Sequence, residues 1–137
     1  TGICFSDHCD HYVPPMKASF EDLKPEHFDV PQQQAEIDRV QGLLGDNIKI
    51  LKGIEIGMYE ECHAEIRKVL SENSFDQVLA SVHYIEKTDP YYGGYYEGKD
   101  WKQAYGMYLE TIHSKFIATF LYIQFQDIIN KVLLCCC

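Results

Sequence analysis

The sequence predicts an α/β protein in which parallel strands alternate with helices. Three apolar runs have the composition of strands: Ile3 to Ser6, Ile48 to Ile56 and Val78 to Ile85. Segments with helical spacing of apolar residues separate these runs. This alternation implies parallel strands joined by right-handed crossovers, and both a doubly wound sheet and a βα-barrel fit it. In either fold the functional groups lie beyond the carboxyl ends of the strands.

The three runs are predicted to be buried strands because they are rich in β-branched and other apolar residues. They lack the long alternation of apolar and polar residues that a half-exposed strand shows. The second run ends in Gly53-Ile54-Glu55-Ile56 and is followed by Gly57. Strand alternation places Glu55 on the opposite face from both isoleucines, and the glycines on either side leave room beside its carboxylate.

Two helices are predicted between the strands, and a third after them. The first lies in QQQAEIDRVQGLLG, which follows the helix-opening Pro31 and ends at Gly45, and the second lies in CHAEIRKVLSEN and ends at Asn73. The third begins near Trp101, after a long loop. The residues predicted to face inward are Ile37, Val40 and Leu44, then Cys62, Ile66, Val69 and Leu70, then Tyr105, Tyr108, Ile112 and Phe116.

Length and composition predict a single domain over residues 1–137, in which residues 116–137 form an atypical, nearly all-apolar tail. The net charge of −9 argues against a nucleic acid or an anionic membrane as partner, because both would be repelled. The longest uncharged apolar stretch is too short to span a bilayer, and the six cysteines lack the spacing of a disulfide framework. We therefore expect a cytoplasmic location.

Each predicted strand carries an imidazole or a carboxylate at or near its carboxyl end: His8, Glu55 and His83. A buried carboxylate without an evident Arg or Lys neighbour is costly unless a cation neutralises it. Two imidazoles and a carboxylate suit zinc, manganese or iron, and three protein ligands leave an open position for water. The sequence thus predicts a metal site with hydrolytic chemistry. A single histidine at a strand end is commonly structural, but three such endings together favour a site.

Four further residues are candidates for substrate binding: Asp10, His11, Tyr91 and Tyr92. Asp10 and His11 either extend the site or open a turn before Pro14-Pro15, and the turn is the favoured interpretation. The two tyrosines lie in the loop DPYYGGYYEGK, which follows the His83 strand. This loop fits equally a mobile lid over a small organic substrate and a rigid aromatic turn.

The segments FSDHCDH, KGIEIG and LASVHYIE resemble, in this order, the second and third motif regions of the polymerase and histidinol phosphatase (PHP) superfamily. The stretch from FDQVLASVHYIE through DPYYGGYYEGKDWKQAYGMYLETI is most similar to the histidinol-phosphatase branch. The resemblance covers roughly Ile3 to Ile112. Three ordered motifs are far more specific than any one of them alone.

The resemblance implies a distorted βα-barrel with a cluster of zinc, manganese or iron ions in its mouth. It implies hydrolysis of L-histidinol phosphate to L-histidinol and phosphate, in histidine biosynthesis, by attack of metal-bound hydroxide on phosphorus. His8 and His83 match metal-binding histidines of the family, and Glu55 matches the carboxylate that bridges metals. The substrate is then a small phosphate ester, drawn to the acidic chain by the ions.

Two family motifs have no counterpart in this sequence. The family begins with a strand that bears His-x-His and ends its metal set with Gly-His-x-Asp, whereas FIATFLYIQFQDIINKVLLCCC contains no histidine. We therefore expect an incomplete barrel with an exposed sheet edge and weak or no activity. The alternative is a noncatalytic metal-binding or interaction fragment whose sheet edge pairs with a partner chain. Cleavage of nucleic acid is disfavoured by the acidic composition, and no feature of the sequence selects an oligomeric state.

Overall fold

The computed structural model describes residues 1–10, 29–86, 88–90, 94–122 and 132–135. Among these residues, four strands form one parallel sheet. The strands are β1 (Gly2–Cys9), β2 (Lys49–Gly57), β3 (Gln77–Ser81) and β4 (Val132–Cys135). The helices are α1 (Val30–Leu44), α2 (His63–Glu72) and α3 (Trp101–Tyr122). The prediction of an α/β protein with parallel strands is confirmed.

The strands lie in the sheet in the order in which they occur along the chain, β1-β2-β3-β4. A doubly wound sheet reverses its strand order at a switch point, whereas a βα-barrel adds each new strand on the same side. The described part of the chain therefore has the topology of a βα-barrel segment. The strand β4 falls in the tail, for which the sequence predicted no element, and it extends the sheet beside β3.

Side-chain hydrogen bonds define both ends of α1. Asp29 caps the first turn, where its carboxylate accepts the backbone N–H of Gln32 at 3.0 Å, and Pro31 occupies the first turn. At the other end the amide of Gln41 donates to the carbonyls of Gly45 and Ile48 and accepts the N–H of Ile50 at 2.7 Å. Gln41 thus connects the end of α1 to the start of β2.

The core lies between one face of the sheet and the helices. Ile54 and Ile56 of β2 are buried together with Val78 of β3, and Ile66 and Leu70 of α2 belong to the same apolar cluster. Since strand side chains alternate between faces, the other face of β2 carries Gly53, Glu55 and Gly57. The sheet therefore has an apolar face that stabilises the fold and a polar face that carries the candidate site.

Two predicted helix faces are partly wrong. In α1, Leu44 is exposed although Ile37 is buried as predicted. In α3, Tyr105 is 56% exposed, and Ala104, at 1%, points inward instead. The core contacts of α3 come from Met107, Tyr108 and Ile112, so its buried face is rotated by about one residue from the predicted one. Phe116 lies in the part of α3 whose side chains are outside the described residues.

Two strand predictions are also corrected. The first run is not a buried strand, because Ile3 and Phe5 of β1 are 49% and 46% exposed. Among the described residues, β1 pairs only with β2 and forms an edge of the sheet. The third run leaves the sheet at Ser81, so Val82, His83 and Tyr84 follow β3 rather than belong to it.

The described helices are α1, α2 and α3 together with short 3-10 turns. None of them combines the length and the apolar composition needed to cross a bilayer.

Candidate metal centre

His8 and Glu55 are brought together by the register of two neighbouring strands. In the β1–β2 ladder, His8 pairs directly with Glu55, and residues paired in this way project from the same face of the sheet. Nε2 of His8 lies 3.6 Å from Oε2 of Glu55. The Glu55 side chain is buried, whereas that of His8 is half exposed at the mouth of the site.

His83 reaches the same point from beyond the end of β3. The carbonyl of Ser81 accepts the N–H of Met58 at 2.7 Å, which holds the end of β3 beside the end of β2. Two residues further on, Nε2 of His83 lies 2.9 Å from Oε1 of Glu55. Strand alternation predicted the correct side for His83, although the strand itself ends earlier.

The two imidazole rings are stacked between two carboxylates. The rings of His8 and His83 lie 5.0 Å apart between centroids, with 16° between their planes. Glu55 lies at the Nε2 end of both rings. Asp10 lies at the Nδ1 end, where its Oδ1 is 2.8 Å from His83 and its Oδ2 is 3.9 Å from His8. Sequence reasoning placed Asp10 in a turn or against substrate and did not anticipate this contact.

The space beside the glycines that flank Glu55 is occupied by neighbouring groups. A methyl group on Gly57 would collide with Oδ1 of Asp10 and would lie 3.1 Å from Nδ1 of His83. A methyl group on Gly53 would lie 2.7 Å from the carbonyl oxygen of Phe5. Gly57 is therefore required for the approach of Asp10 and His83, which the sequence had predicted only as space beside the carboxylate.

The charged side chains of the site shift the pKa values of His83 and Glu55. Burial alone would lower the pKa of His83, but its contacts with Asp10 and Glu55 outweigh burial and raise that pKa to about 9. Burial would raise the pKa of Glu55, yet the hydrogen bond from His83 and the charge of His8 lower it. The metal-free site therefore holds a protonated imidazole between carboxylates at neutral pH.

These donors fit a divalent ion. One ligand atom from each of His8, Glu55 and His83 lies within 4.8 Å of the other two. Tetrahedral coordination with bonds of about 2.0–2.2 Å needs ligand atoms about 3.3–3.6 Å apart, so small side-chain rotations suffice. Two imidazole nitrogens and one carboxylate oxygen form a donor set typical of zinc, manganese or iron. An ion at this point would also replace the proton as the partner of the buried Glu55.

The raised pKa of His83 predicts how the stability of the metal-free chain depends on pH. The folded value of about 9 exceeds the ordinary 6.5, so the folded state binds the proton more tightly than the unfolded state. The resulting stabilisation is complete below pH 6.5 and is lost as the pH rises to 9. Urea denaturation with a chelator present is expected to show a decreasing free energy of unfolding across this window. In His83→Gln that decrease should disappear, and a wild-type chain whose stability is constant or rises there would contradict the assignment.

The other predicted site residues lie outside the described residues: His11, Tyr91 and Tyr92. In the loop DPYYGGYYEGK, hydrogen bonds hold the described carboxyl-terminal end in place. Tyr95 is buried and donates its hydroxyl to the carbonyl of Ala104, and Lys99 donates to the carbonyl of Tyr95. This end of the loop is therefore tied to the start of α3, and the choice between a lid and a rigid turn depends on residues outside the described ones.

Comparisons with known proteins agree with this geometry. The PHP domain family model matches residues 1–132. A histidinol-phosphatase from Lactococcus lactis is 38% identical over 66% of this chain and 31% of its own length. A protein named probable histidinol-phosphatase from Clostridium acetobutylicum is 30% identical over 81% of this chain and 39% of its own length. Another of that name from Deinococcus radiodurans is 28% identical over 82% of this chain and 43% of its own length.

A solved structure has the same fold. The crystal structure of a histidinol phosphate phosphatase from Lactococcus lactis, complexed with zinc, L-histidinol and phosphate, matches with a TM-score of 0.71 and 31% identity. The match covers 84% of this chain and 42% of that one, so this chain spans less than half the length of the solved structure. The family model covers nearly all of the chain, and the fold agrees with a solved histidinol phosphate phosphatase; the chain therefore belongs to the PHP domain family.

Proposed function

We propose that this chain carries part of the metal centre of a histidinol-phosphatase-type hydrolase, which converts L-histidinol phosphate to L-histidinol and phosphate. The convergence of His8, Glu55 and His83 on one point carries the proposal. The relatives named histidinol-phosphatase, and the related structure with zinc, L-histidinol and phosphate, support the choice of substrate. The proposal includes histidine biosynthesis as the pathway, which the family resemblance implies, and the cytoplasm as the location, which the composition predicts.

The proposed ligands are Nε2 of His8, a carboxylate oxygen of Glu55 and Nε2 of His83. Zinc, manganese or iron held there would activate water and neutralise the phosphate oxygens. Glu55 supplies the negative charge that holds the cation, and the two imidazole ligands add no further anionic charge. This matters because the chain has a net charge of −9, which would otherwise repel a phosphate ester. Substrate contacts from His11, Tyr91 and Tyr92 remain predictions.

We expect the activity of this chain alone to be weak. Its sequence contains neither the His-x-His nor the Gly-His-x-Asp motif of the family, so fewer ligands are available for a metal cluster. The chain spans 31% of the Lactococcus lactis relative and 39% of the Clostridium acetobutylicum relative.

The alternative function is that of a noncatalytic metal-binding or interaction fragment. In the described part of the chain β1 is an edge strand that exposes Ile3 and Phe5, which favours this alternative, because an apolar edge can add a strand from another chain. Both functions require a folded chain. Only the hydrolase requires turnover of a substrate.

The test is phosphate release from L-histidinol phosphate by purified chain loaded with zinc, manganese or iron. Metal content is measured by elemental analysis, and folding by circular dichroism, on the same samples. A chelator-treated sample is the control, and a phosphodiester substrate tests the monoester specificity. The expected result is slow, metal-dependent release from the monoester alone.

Each outcome decides between the two functions. Folded, metal-loaded protein that releases no phosphate contradicts the enzyme proposal for this chain and supports the noncatalytic alternative. Folded protein that retains none of the three metals contradicts both the catalytic metal centre and a noncatalytic metal-binding role. Cleavage of the diester in preference to the monoester contradicts the proposed substrate class.

A further inference from the structure

Asp10 occupies a position that metal coordination by His8, Glu55 and His83 does not explain. It follows β1 directly, is only 8% exposed, and places both carboxylate oxygens within 3.0 Å of Nδ1 of His83. Its Oδ2 is also 3.9 Å from Nδ1 of His8. A carboxylate buried this deeply and engaged by two imidazoles has little surface left to contact a substrate.

The contacts of Asp10 select one nitrogen of each ring. A carboxylate only accepts hydrogen bonds, so Nδ1 of His83 must carry a proton to donate to it. Nε2 of His83, 2.9 Å from Glu55, also carries a proton when no ion is bound; when a metal replaces that proton, the Nδ1–H held by Asp10 keeps its partner and the lone pair lies on Nε2. The same orientation of His8 puts its Nε2 toward Glu55 and its Nδ1 toward Asp10. One carboxylate thus faces the outer ends of two stacked rings.

We propose that Asp10 is a positioning residue that holds His83, and through charge His8, with Nε2 directed at the metal. Carboxylates that orient metal-binding histidines in this way also raise the basicity of the ligand nitrogen, and their loss typically weakens metal binding by about 10- to 100-fold. The inference rests on the metal binding in the proposed function and does not depend on turnover. It replaces the substrate-binding role that the sequence suggested for Asp10.

The geometry separates this role from direct coordination. Asp10 contacts the Nδ1 end of the rings, whereas Glu55 contacts the Nε2 end. The group whose ligand atoms lie within 4.8 Å of one another comprises His8, Glu55 and His83 and does not include Asp10. An ion at the Nε2 end would therefore be separated from Asp10 by the width of an imidazole ring.

The experiment compares zinc binding and histidine protonation in Asp10→Ala, Asp10→Asn and the wild-type chain. Zinc affinity is measured by competition with a chromophoric chelator. Long-range proton–nitrogen NMR of the imidazoles then identifies which nitrogen of His83 binds zinc, with His83→Gln used for assignment. The matched control is Asp38→Asn, because Asp38 is exposed, pairs with Lys52 and loses the same charge.

The expected result is that zinc binds Nε2 of His83 while Nδ1 remains protonated. Asp10→Ala should weaken zinc binding about 10- to 100-fold and disturb that protonation pattern. Asp10→Asn should lose less affinity and retain the pattern, because the amide oxygen still accepts from Nδ1–H. Asp38→Asn should match wild type. If Asp10→Ala does not fold, the wild-type nitrogen assignment and Asp10→Asn decide the question.

In a chain that binds zinc, three results would overturn the inference. The first is zinc on Nδ1 of His83 in the wild-type chain. The second is wild-type affinity in folded Asp10→Ala. The third is an equal loss in Asp10→Ala and Asp10→Asn with the protonation of His83 unchanged, which would make Asp10 a direct ligand. A wild-type chain that binds no zinc refutes this inference together with the proposed function, whereas zinc binding with the Asp10 effect but without phosphate release contradicts only the proposed function.

Discussion

Glu55→Gln is expected to abolish tight divalent-metal binding, and any metal-dependent phosphate release with it, in a chain that stays folded. Glu55 supplies the only carboxylate among the three candidate ligands, and it is buried where an ion would gain most from its charge. Loss of a residue that merely orients a ligand costs about 10- to 100-fold in affinity, so loss of the ligand itself should exceed about 100-fold. Competition with a chromophoric chelator measures the affinity.

The fold should tolerate this replacement because the glutamine amide oxygen can still accept a hydrogen bond from Nε2 of His83. Removing a buried charge also removes its desolvation cost, so the free energy of unfolding of the metal-free chain should change by less than about 2 kcal/mol. Glu36→Gln is the matched control, since Glu36 is exposed and pairs only with Arg39 among the contacts observed. Wild-type metal affinity in Glu55→Gln would refute the proposed metal centre.

Gly57→Ala is expected to destabilise the chain and weaken metal binding together. The added methyl group would overlap Oδ1 of Asp10 and crowd Nδ1 of His83, both of which are held by the surrounding structure. Forcing an extra methyl into a packed site typically costs about 1–3 kcal/mol. Displacement of Asp10 should also reduce zinc affinity by about tenfold or more. Urea denaturation and zinc competition measure the two effects on one preparation.

Gly42→Ala is the matched control for this prediction. Gly42 lies inside α1, and a methyl group there would meet no atom within 4 Å. Since alanine favours a helix over glycine by about 0.5–1 kcal/mol, this variant should be slightly more stable than wild type, with unchanged zinc affinity. If Gly57→Ala behaves like Gly42→Ala, the close packing of Asp10 against Gly57 does not exist in solution.

The part of the site that the sequence predicted depends on strand periodicity. His8 and Glu55 project from the same face because alternation within each strand is regular and parallel neighbours pair in register. A glycine on either side of Glu55 indicated room beside the carboxylate, which neighbouring groups occupy. The face on which each of these side chains lies can be predicted without knowing the turns that connect the strands.

The contacts of Asp10 and His83 could not be obtained in this way. Both residues lie just beyond the ends of their strands, and although alternation predicted the side on which His83 lies, it does not indicate which atoms meet there. Their hydrogen bond also joins segments far apart in the chain, so no local spacing encodes it. An acidic residue after a strand is as typical of a turn as of a buried contact.

Burial was the other property that composition predicted poorly. The apolar run in β1 indicated a strand covered on both faces, but among the described residues β1 lies at an edge and exposes Ile3 and Phe5. In α3, helical spacing correctly predicted that Tyr108 and Ile112 pack against the core, but Ala104 rather than Tyr105 faces it. Secondary structure is encoded locally, whereas burial depends on what packs against each element.

The three candidate ligands come from the first strand, the second strand and the segment after the third. A single ion held by all of them would close the long stretch of chain between His8 and His83 into a loop, in the manner of a reversible cross-link. Ion release and cooperative unfolding would then be linked, so that the midpoint of thermal unfolding shifts with the concentration of free ion. The visible absorption of a cobalt-substituted sample would then show whether β1, β2 and β3 are still assembled.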